Sequence, residues 1–583
     1  MQNVKYYFCV VALRLLLAIW PPSYIHPDEF FQSQEVLAGS ILRTRVLIPW
    51  EFESNVGDHS NSKPPPSRTI VTPGLTSGTS FVLLSFLSQL FHAPMFVSGT
   101  MLLYMPRIFM ATVTLLVDFV ILSISSGGED WTSSSQEQSG RDRSGGRSGG
   151  SSGGSSGGST MIAKYLLGTS WVAISFFPRP FSNTCELVAL ACSFGVLLKS
   201  PAGRSRSRML GILLAAGTFT RFTFIVFFLP LGVALLLQQD ALFVRELNRR
   251  TKDSSISISV TVQHVSIDAR VRATINVLLD GALGALITSL CFIAVDSLYF
   301  GQFTITPLNN ALYNMDVSNL SEHGLHPRWL HFIVNMPLLF GPMAMLTYGI
   351  AASKMWSVEW DTVVNANACS INVDMLCLWC ILSGLGFLSI APHQEARFLV
   401  PLLVPVILVC SSCLSRGVHY QTKGVYRPVM MLVLIFNVLL LLLFGVFHQG
   451  GLLRSLLYLE KLKISNPSRS YEAYYFKTHM PPRFLLSNHG LPGDLGDCNI
   501  VDLKSTNVEG LRRQLAERTS VSAELLTLVI APKSVRLESD LTLSRCLHLK
   551  TMFWPHLSTE DLPQSFSELE LQVFEQTAPC IYK

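Results

Sequence analysis

Charge is what this chain has least of: Asp, Glu, Lys and Arg make up 14% of its 583 residues, against roughly 25% in an average soluble domain. Such scarcity excludes a globular protein that meets water over its whole surface. The net charge of +5 comes from 44 basic and 39 acidic residues. The basic ones gather in short clusters between apolar segments, so the continuous basic face that nucleic acid requires is missing. Cysteines in metal-binding array are missing too. Cys377 with Cys380, and Cys410 with Cys413, form C-x-x-C pairs, but these lie in or beside apolar segments without a nearby His, so they read as packing residues and not zinc ligands. After the first apolar run stands Trp20-Pro21-Pro22 instead of small residues. That run is therefore expected to be a signal anchor that is not cleaved. No internal repeat is visible.

What is present is apolar sequence, 49% of the chain, with a mean hydropathy of +0.38. It predicts an α-helical polytopic membrane protein. Spans are expected at 6–20, 102–124, 162–177 and 186–198, then as two short passes between the basic clusters 204–208 and 245–252 with Thr220-Arg221-Phe222 at the apex. Further spans fall at 277–300, 331–352, 373–390, 398–414 and 429–447, about eleven passes in all. The apolar piece 81–91 is short and is read as interfacial, and 32–42 as a helix lying on the membrane surface. Four regions follow: 1–124, with a polar loop at 21–76; a Gly/Ser tract at 125–160 read as a disordered cytoplasmic linker; the membrane domain 161–449; and a small C-terminal domain at 450–583. The parity of the spans places the loop, that domain and the sequon Asn319-Leu320-Ser321 on the non-cytoplasmic side. Cys498, Cys546 and Cys580 in the tail then allow one disulfide and leave one thiol.

The loops carrying ionisable residues converge on that side. Ser23-Tyr24-Ile25-His26-Pro27-Asp28-Glu29-Phe30-Phe31-Gln32 sets a carboxylate pair at the mouth of the first span. Carboxylates there are costly unless they meet a polar substrate. Adjacent residues point apart, so one of Asp28 and Glu29 is expected to be catalytic and the other structural. Arg221, His393 and Arg397 suit an anionic leaving group such as a phosphate; the blander reading of His393, Glu395 and Arg397 is an ion-paired helix end. Arg179 and Asn183 suit a sugar, with helix capping by Ser182 or Asn183 as the alternative. Tyr313, His326, Trp329 and His331 suit sugar stacking or an interfacial aromatic belt.

Ile25-His26-Pro27-Asp28-Glu29-Phe30-Phe31-Gln32-Ser33, Pro49-Trp50-Glu51-Phe52 and His393-Gln394-Glu395-Ala396-Arg397-Phe398-Leu399 closely resemble family 22 of the glycosyltransferases, multi-pass mannosyltransferases of the endoplasmic reticulum. The His-Pro-Asp-Glu form is similar to the branch acting on glycosylphosphatidylinositol (GPI) precursors. Arg179-Pro180-Phe181-Ser182-Asn183-Thr184 and Lys477-Thr478-His479-Met480-Pro481-Pro482-Arg483 narrow the likeness to members that add a fourth, α-1,2-linked mannose. The resemblance implies a GT-C fold, dolichyl phosphate mannose as donor, a GPI glycolipid as acceptor and inversion at the anomeric carbon; because dolichyl phosphate is itself a good leaving group, no cofactor or metal is chemically required. It implies Asp28 as base, Glu29 as the residue that orients it or its loop, Arg221 and Arg397 on the donor phosphate, His393 beside it, and His26 and Glu395 in the same substrate-binding set. Rivals are transfer of the third GPI mannose, an N-glycan mannosyltransferase, and a lipid or sugar transporter. Transporters carry ionisable groups within the spans and often show paired halves; here the carboxylates sit in loops.

Overall fold

The structure is a computed structural model, and it describes residues 2–19, 23–54, 64–127, 153–253, 261–316, 318–319, 324–356, 362–365, 368–419, 423–486, 498–504, 506–516 and 525–580. Among these, six helical segments are long and apolar enough to cross a membrane: Gly99–Ser125, Phe224–Arg249, Asp268–Phe300, Val373–Ile390, Ala396–Arg416 and Arg427–Phe447. Shorter apolar helices at Tyr7–Leu17 and His331–Phe340 add to them. The bundle is that of a polytopic membrane protein. The paired helices Arg204–Thr220 and Phe224–Asp253 meet at Arg221, as the basic clusters flanking them predict. Within the bundle, Arg14 on the first helix and Asp118 on Gly99–Ser125 form an ion pair at 2.9 Å, each at most 1% exposed. A charge pair sealed so deeply fixes which helix the first one must lie against.

Two expectations need correction. The segment after the acidic pair is not a helix bare on both faces: Glu35–Leu42 is a helix whose Glu35, Val36, Leu37 and Ala38 are all buried in the protein. Val36, Leu37 and Ala38 share one apolar core with Phe484, Leu485 and strands of the C-terminal domain. The piece at 81–91 belongs to a longer helical run that begins at Val71 and ends at Leu90. Of the expected linker at 125–160, residues 128–152 lie outside the described residues, while Gly153–Thr169 is helix and runs into the bundle.

The C-terminal domain begins with the helix Leu452–Ser465 and is built on a five-stranded mixed sheet. Its strands are β3 (Ser470–Tyr475), β4 (Cys498–Asp502), β5 (Leu525–Pro532), β6 (Leu547–Phe553) and β7 (Leu571–Gln576), in the order β4-β3-β5-β7-β6; β1 (Val364–Asn365) and β2 (Ser370–Ile371) form a separate hairpin. β3 runs parallel to both β4 and β5. Its residues Tyr471 to Tyr475 are all buried, as expected of a strand covered on both faces. Cys546 and Cys580 form a disulfide, of which Cys498 is not part. The domain is not a separate lobe, because its core is continuous with that of the acidic loop.

Candidate active site

The acidic loop owes its shape to His26-Pro27. Pro27 is at home in the first turn of a helix, where no N–H is needed, and its carbonyl accepts from the amides of Phe30 and Phe31 at 3.0 Å. His26 Nδ1 accepts the Asp28 amide at 3.2 Å, capping that turn. Successive residues on a helix differ by about 100° in direction. Asp28 and Glu29 consequently face different environments.

Glu29 faces inward and is fully buried. Its carboxylate meets the Arg107 guanidinium at 2.5 Å and Arg179 Nε at 3.2 Å. Both arginines also bind the Ser23 carbonyl, so the four residues form a knot beneath the loop. Two guanidiniums share one carboxylate, and burial with Arg107 nearby pulls Arg179 down to about 10. Glu29 thus positions the loop.

Asp28 faces the opening. Its Oδ2 is in close ion-pair contact with Arg397 and accepts from Gln32 Nε2 at 2.5 Å; Oδ1 lies 3.3 Å from His26 Nδ1. Arg397 also holds Glu395, which reaches His393 Nε2 at 2.8 Å and His26 Nε2 at 3.6 Å. Burial alone would raise the Asp28 carboxyl, but Arg397 and then His26 outweigh it and hold it well below the usual carboxylate range. Glu395 is held low in the same way, Arg397 overcoming the effect of burial. His393 is shifted upward: burial opposes its protonation, and the bond to Glu395 prevails.

The sequence-derived candidates therefore separate. His26, Asp28, His393, Glu395 and Arg397 meet in one network, and Arg221 joins it through a relay in which Arg221 donates to Ser182 Oγ at 3.1 Å, Ser182 to Gln32 Oε1 at 3.1 Å, and Gln32 to Asp28. Phe398 lies between the two arginines, 4.9 Å from Arg221 and 5.4 Å from Arg397. The remaining expectations are corrected. Arg179 is taken up by Glu29 and Ser23 and is 3% exposed, and Asn183 is fully buried with neither side-chain atom bonded, so neither reaches the opening. Arg221 faces Glu186 at 3.3 Å, and Arg397 faces two carboxylates, so neither is a bare cation. Ser182 does not cap its helix, whose cap position is Phe181. Tyr313 stacks on Trp50 at 4.2 Å. Asn319 donates to the Tyr313 carbonyl, and Leu320 and Ser321 of its sequon lie outside the described residues.

Three neighbours of Asp28 were not expected. Gln32 donates to Glu51 as well as to Asp28, and Glu51 accepts from Arg68 Nε at 3.0 Å. Glu51 stood in the Pro-Trp-Glu-Phe motif; no periodicity or spacing marks Arg68. Behind the loop, the Glu35 carboxylate accepts three backbone amides: Leu47 at 3.0 Å, Arg483 at 3.1 Å and Phe484 at 3.2 Å. Burial pushes Glu35 up to about 7 against those three donors. Tyr24 adds a bond from its hydroxyl to the Met480 carbonyl at 2.9 Å and an edge contact with His479 at 5.4 Å.

A cluster of carboxylates, guanidiniums and imidazoles at the mouth of a helical bundle suits proton removal beside a developing anion. Comparisons with known proteins give the family to which the chain is related. Residues 5–480 match the Alg9-like mannosyltransferase family. The chain is 31% identical over 592 residues to human GPI alpha-1,2-mannosyltransferase 4, covering 94% of this chain and 88% of the relative. It is 26% identical over 561 residues to GPI mannosyltransferase 4 of Saccharomyces cerevisiae, with 91% and 89% covered. Among solved structures, ArnT from Cupriavidus metallidurans bound to undecaprenyl phosphate aligns over 100% of this chain and 99% of its own, at 10% identity and a TM-score of 0.45. With its acidic loop, its His-Gln-Glu-Ala-Arg loop and a family match over most of its length, the chain belongs to the Alg9-like mannosyltransferase family.

Proposed function

We propose that this enzyme transfers mannose from dolichyl phosphate mannose to a GPI precursor, adding the fourth, α-1,2-linked residue to the third mannose at the lumenal face of the endoplasmic reticulum membrane. The relatives named for that reaction support the acceptor. The Cys546–Cys580 disulfide in the domain that backs the acidic loop supports the lumenal side, because disulfides persist in oxidising compartments.

The observation that carries the mechanism is the contrast within the acidic pair: Asp28 opens toward the site while Glu29 is sealed between Arg107 and Arg179. Asp28 takes the proton of the acceptor hydroxyl, and the oxygen so freed bonds to the anomeric carbon. The bond from that carbon to the phosphate oxygen breaks, and its electron pair leaves with dolichyl phosphate; attack opposite the leaving group turns a β-linked donor into an α-mannoside. At rest Arg397 neutralises Asp28 and makes it a weak base. An arriving phosphate that shares Arg397 weakens this hold and strengthens Asp28 where the proton must be taken. His393, near the same arginine, supplies a hydrogen bond to the leaving oxygen. Phosphate is a good leaving group in its own right, so this route needs no metal.

The test is mannosyl transfer in microsomes, with labelled dolichyl phosphate mannose and a three-mannose GPI acceptor, for the wild type and Asp28→Asn. Transfer that is lost in the variant at unchanged protein level is the expected result. Elongation of a two-mannose lipid instead assigns the chain to the third mannose. Transfer by Asp28→Asn at the wild-type rate rejects Asp28 as base.

A further inference from the structure

Tyr24 stands shortly before Asp28, is fully buried, and has each of its polar groups held from far along the chain. Its amide donates to the His448 carbonyl at 3.4 Å, its carbonyl faces His448 Nδ1 at 2.9 Å, and its hydroxyl donates to the Met480 carbonyl at 2.9 Å. Its ring lies edge-on to Phe30 at 4.9 Å and to His479 at 5.4 Å. The stretch from Lys477 to Arg483 thereby finds a place. It backs Tyr24 with Met480 and His479 on one side of the acidic turn, and binds Glu35 through the Arg483 amide on the other.

Three parts of the molecule meet at His448. It follows directly on the membrane-spanning segment Arg427–Phe447, and its amide closes the end of that segment on the Leu443 carbonyl at 2.9 Å. On either side of it, the Phe447 carbonyl accepts the Leu557 amide at 2.8 Å and the Gln449 amide donates to the Leu557 carbonyl at 2.9 Å, which ties this point to the C-terminal domain. Its ring reaches the acidic loop. Burial holds the imidazole below its ordinary value, so near neutral pH the ring carries one proton. A carbonyl can only accept, so Tyr24 fixes that proton on Nδ1.

Between Tyr24 and Asp28 the chain has little play. Pro27 fixes its own φ, the His26 ring accepts the Asp28 amide at 3.2 Å, and the His26 carbonyl accepts the Glu29 amide at 3.1 Å. A displacement at the Tyr24 carbonyl is therefore passed on to the Asp28 carboxylate. A misplacement of about 1 Å at a reacting group can cost about 10²-fold in rate.

We propose that His448 is a positioning residue for the transfer reaction, its Nδ1–H acting through the Tyr24 carbonyl to set the place of Asp28 in the open cluster. This rests on the reading of Asp28 as the base and extends it to the residue that joins the last span, the C-terminal domain and the acidic loop.

His448→Leu, His448→Asn and His448→Gln are compared with the wild type in the transfer assay, per folded molecule. Asn carries an amide N–H where Nδ1 stood, whereas Gln carries it one bond further out. In His448→Leu kcat is expected to fall roughly 10- to 100-fold with both KM values within about threefold, and His448→Asn is expected to recover most of the rate. Should the Leu variant not fold, the two amides make the same test, Asn retaining kcat and Gln losing it. A wild-type kcat in His448→Leu, equal losses in Asn and Gln, or a loss carried by KM alone overturns the proposal. Hydrogen exchange of the detergent-solubilised protein reads the acidic turn without any transfer. The amides of Asp28, Glu29, Phe30 and Phe31, all bonded within that turn, should exchange roughly tenfold faster in His448→Gln than in the wild type, and at the wild-type rate in His448→Asn. Equal exchange in all three overturns the positioning role even if transfer depends on Asp28. Failure of the base assignment shows separately, as transfer by Asp28→Asn at the wild-type rate.

Discussion

Two ionic clusters sit back to back across one turn of helix, the Asp28 cluster half-open and made of five side chains from two distant loops, the Glu29 cluster sealed and packed beneath it. Both have carboxylates facing arginines at close range. They differ in access to water and in whether anything can enter. An open pair can exchange one partner for a substrate group, whereas a sealed pair can only hold, and breaking it leaves a charge with no solvent to receive it.

The sharpest way to break this contrast is to remove each charge in turn. Asp28→Asn should slow transfer by about 10²–10⁴-fold, the usual worth of a general base, with little change in melting temperature. Glu29→Gln should do the reverse, leaving two arginines facing one another and destabilising the protein by about 3–5 kcal/mol, while the molecules that remain folded keep most of their activity. Thermal unfolding in detergent, beside activity per folded molecule, checks both; a stable but inactive Glu29→Gln would put Glu29 among the reacting groups.

Acidity offers a third test, on Glu35. Its folded value is raised to about 7, so between the ordinary carboxylate range and pH 7 the folded protein binds more protons than the unfolded chain. Stability therefore falls as pH rises through that window and levels off above it, by on the order of 3 kcal/mol. Melting curves at pH 5 and pH 8 should show this drop, and Glu35→Gln should flatten it. The smallest effect is expected at Asn183, which is buried without a hydrogen-bond partner. Replacing it by Leu should change neither transfer rate nor melting temperature by much, because no bond is lost; a tenfold loss of activity would return Asn183 to the substrate site.

The sequence made the bundle legible because spans are written as apolar runs: Val373–Ile390 falls where the run alone predicts it. It also made legible the loops that carry the open cluster, since His26 to Glu29 and His393 to Arg397 are short contiguous motifs. It could not distinguish the fates of Arg179 and Arg397, because both are arginines in polar turns and burial is a property of what packs over them. Arg68, Glu35 and the Arg14–Asp118 pair were illegible for a related reason. Their partners lie 12 to 449 positions away, and no local period records such a distance.

One of those distances has a consequence for how the molecule is made. Two of the three amides that grip Glu35 belong to Arg483 and Phe484, 448 and 449 residues further along. On a ribosome the acidic loop therefore emerges long before the segment that holds its back, and every span after the first must be inserted in the interval. Until then Glu35 is a carboxylate without two of its three amides and the apolar residues beside it are uncovered, marks by which a chaperone can tell an unfinished chain from a finished one. A chain stopped short of residue 480 should accordingly remain chaperone-bound with all its spans in place, as pull-down of the truncated chain would show.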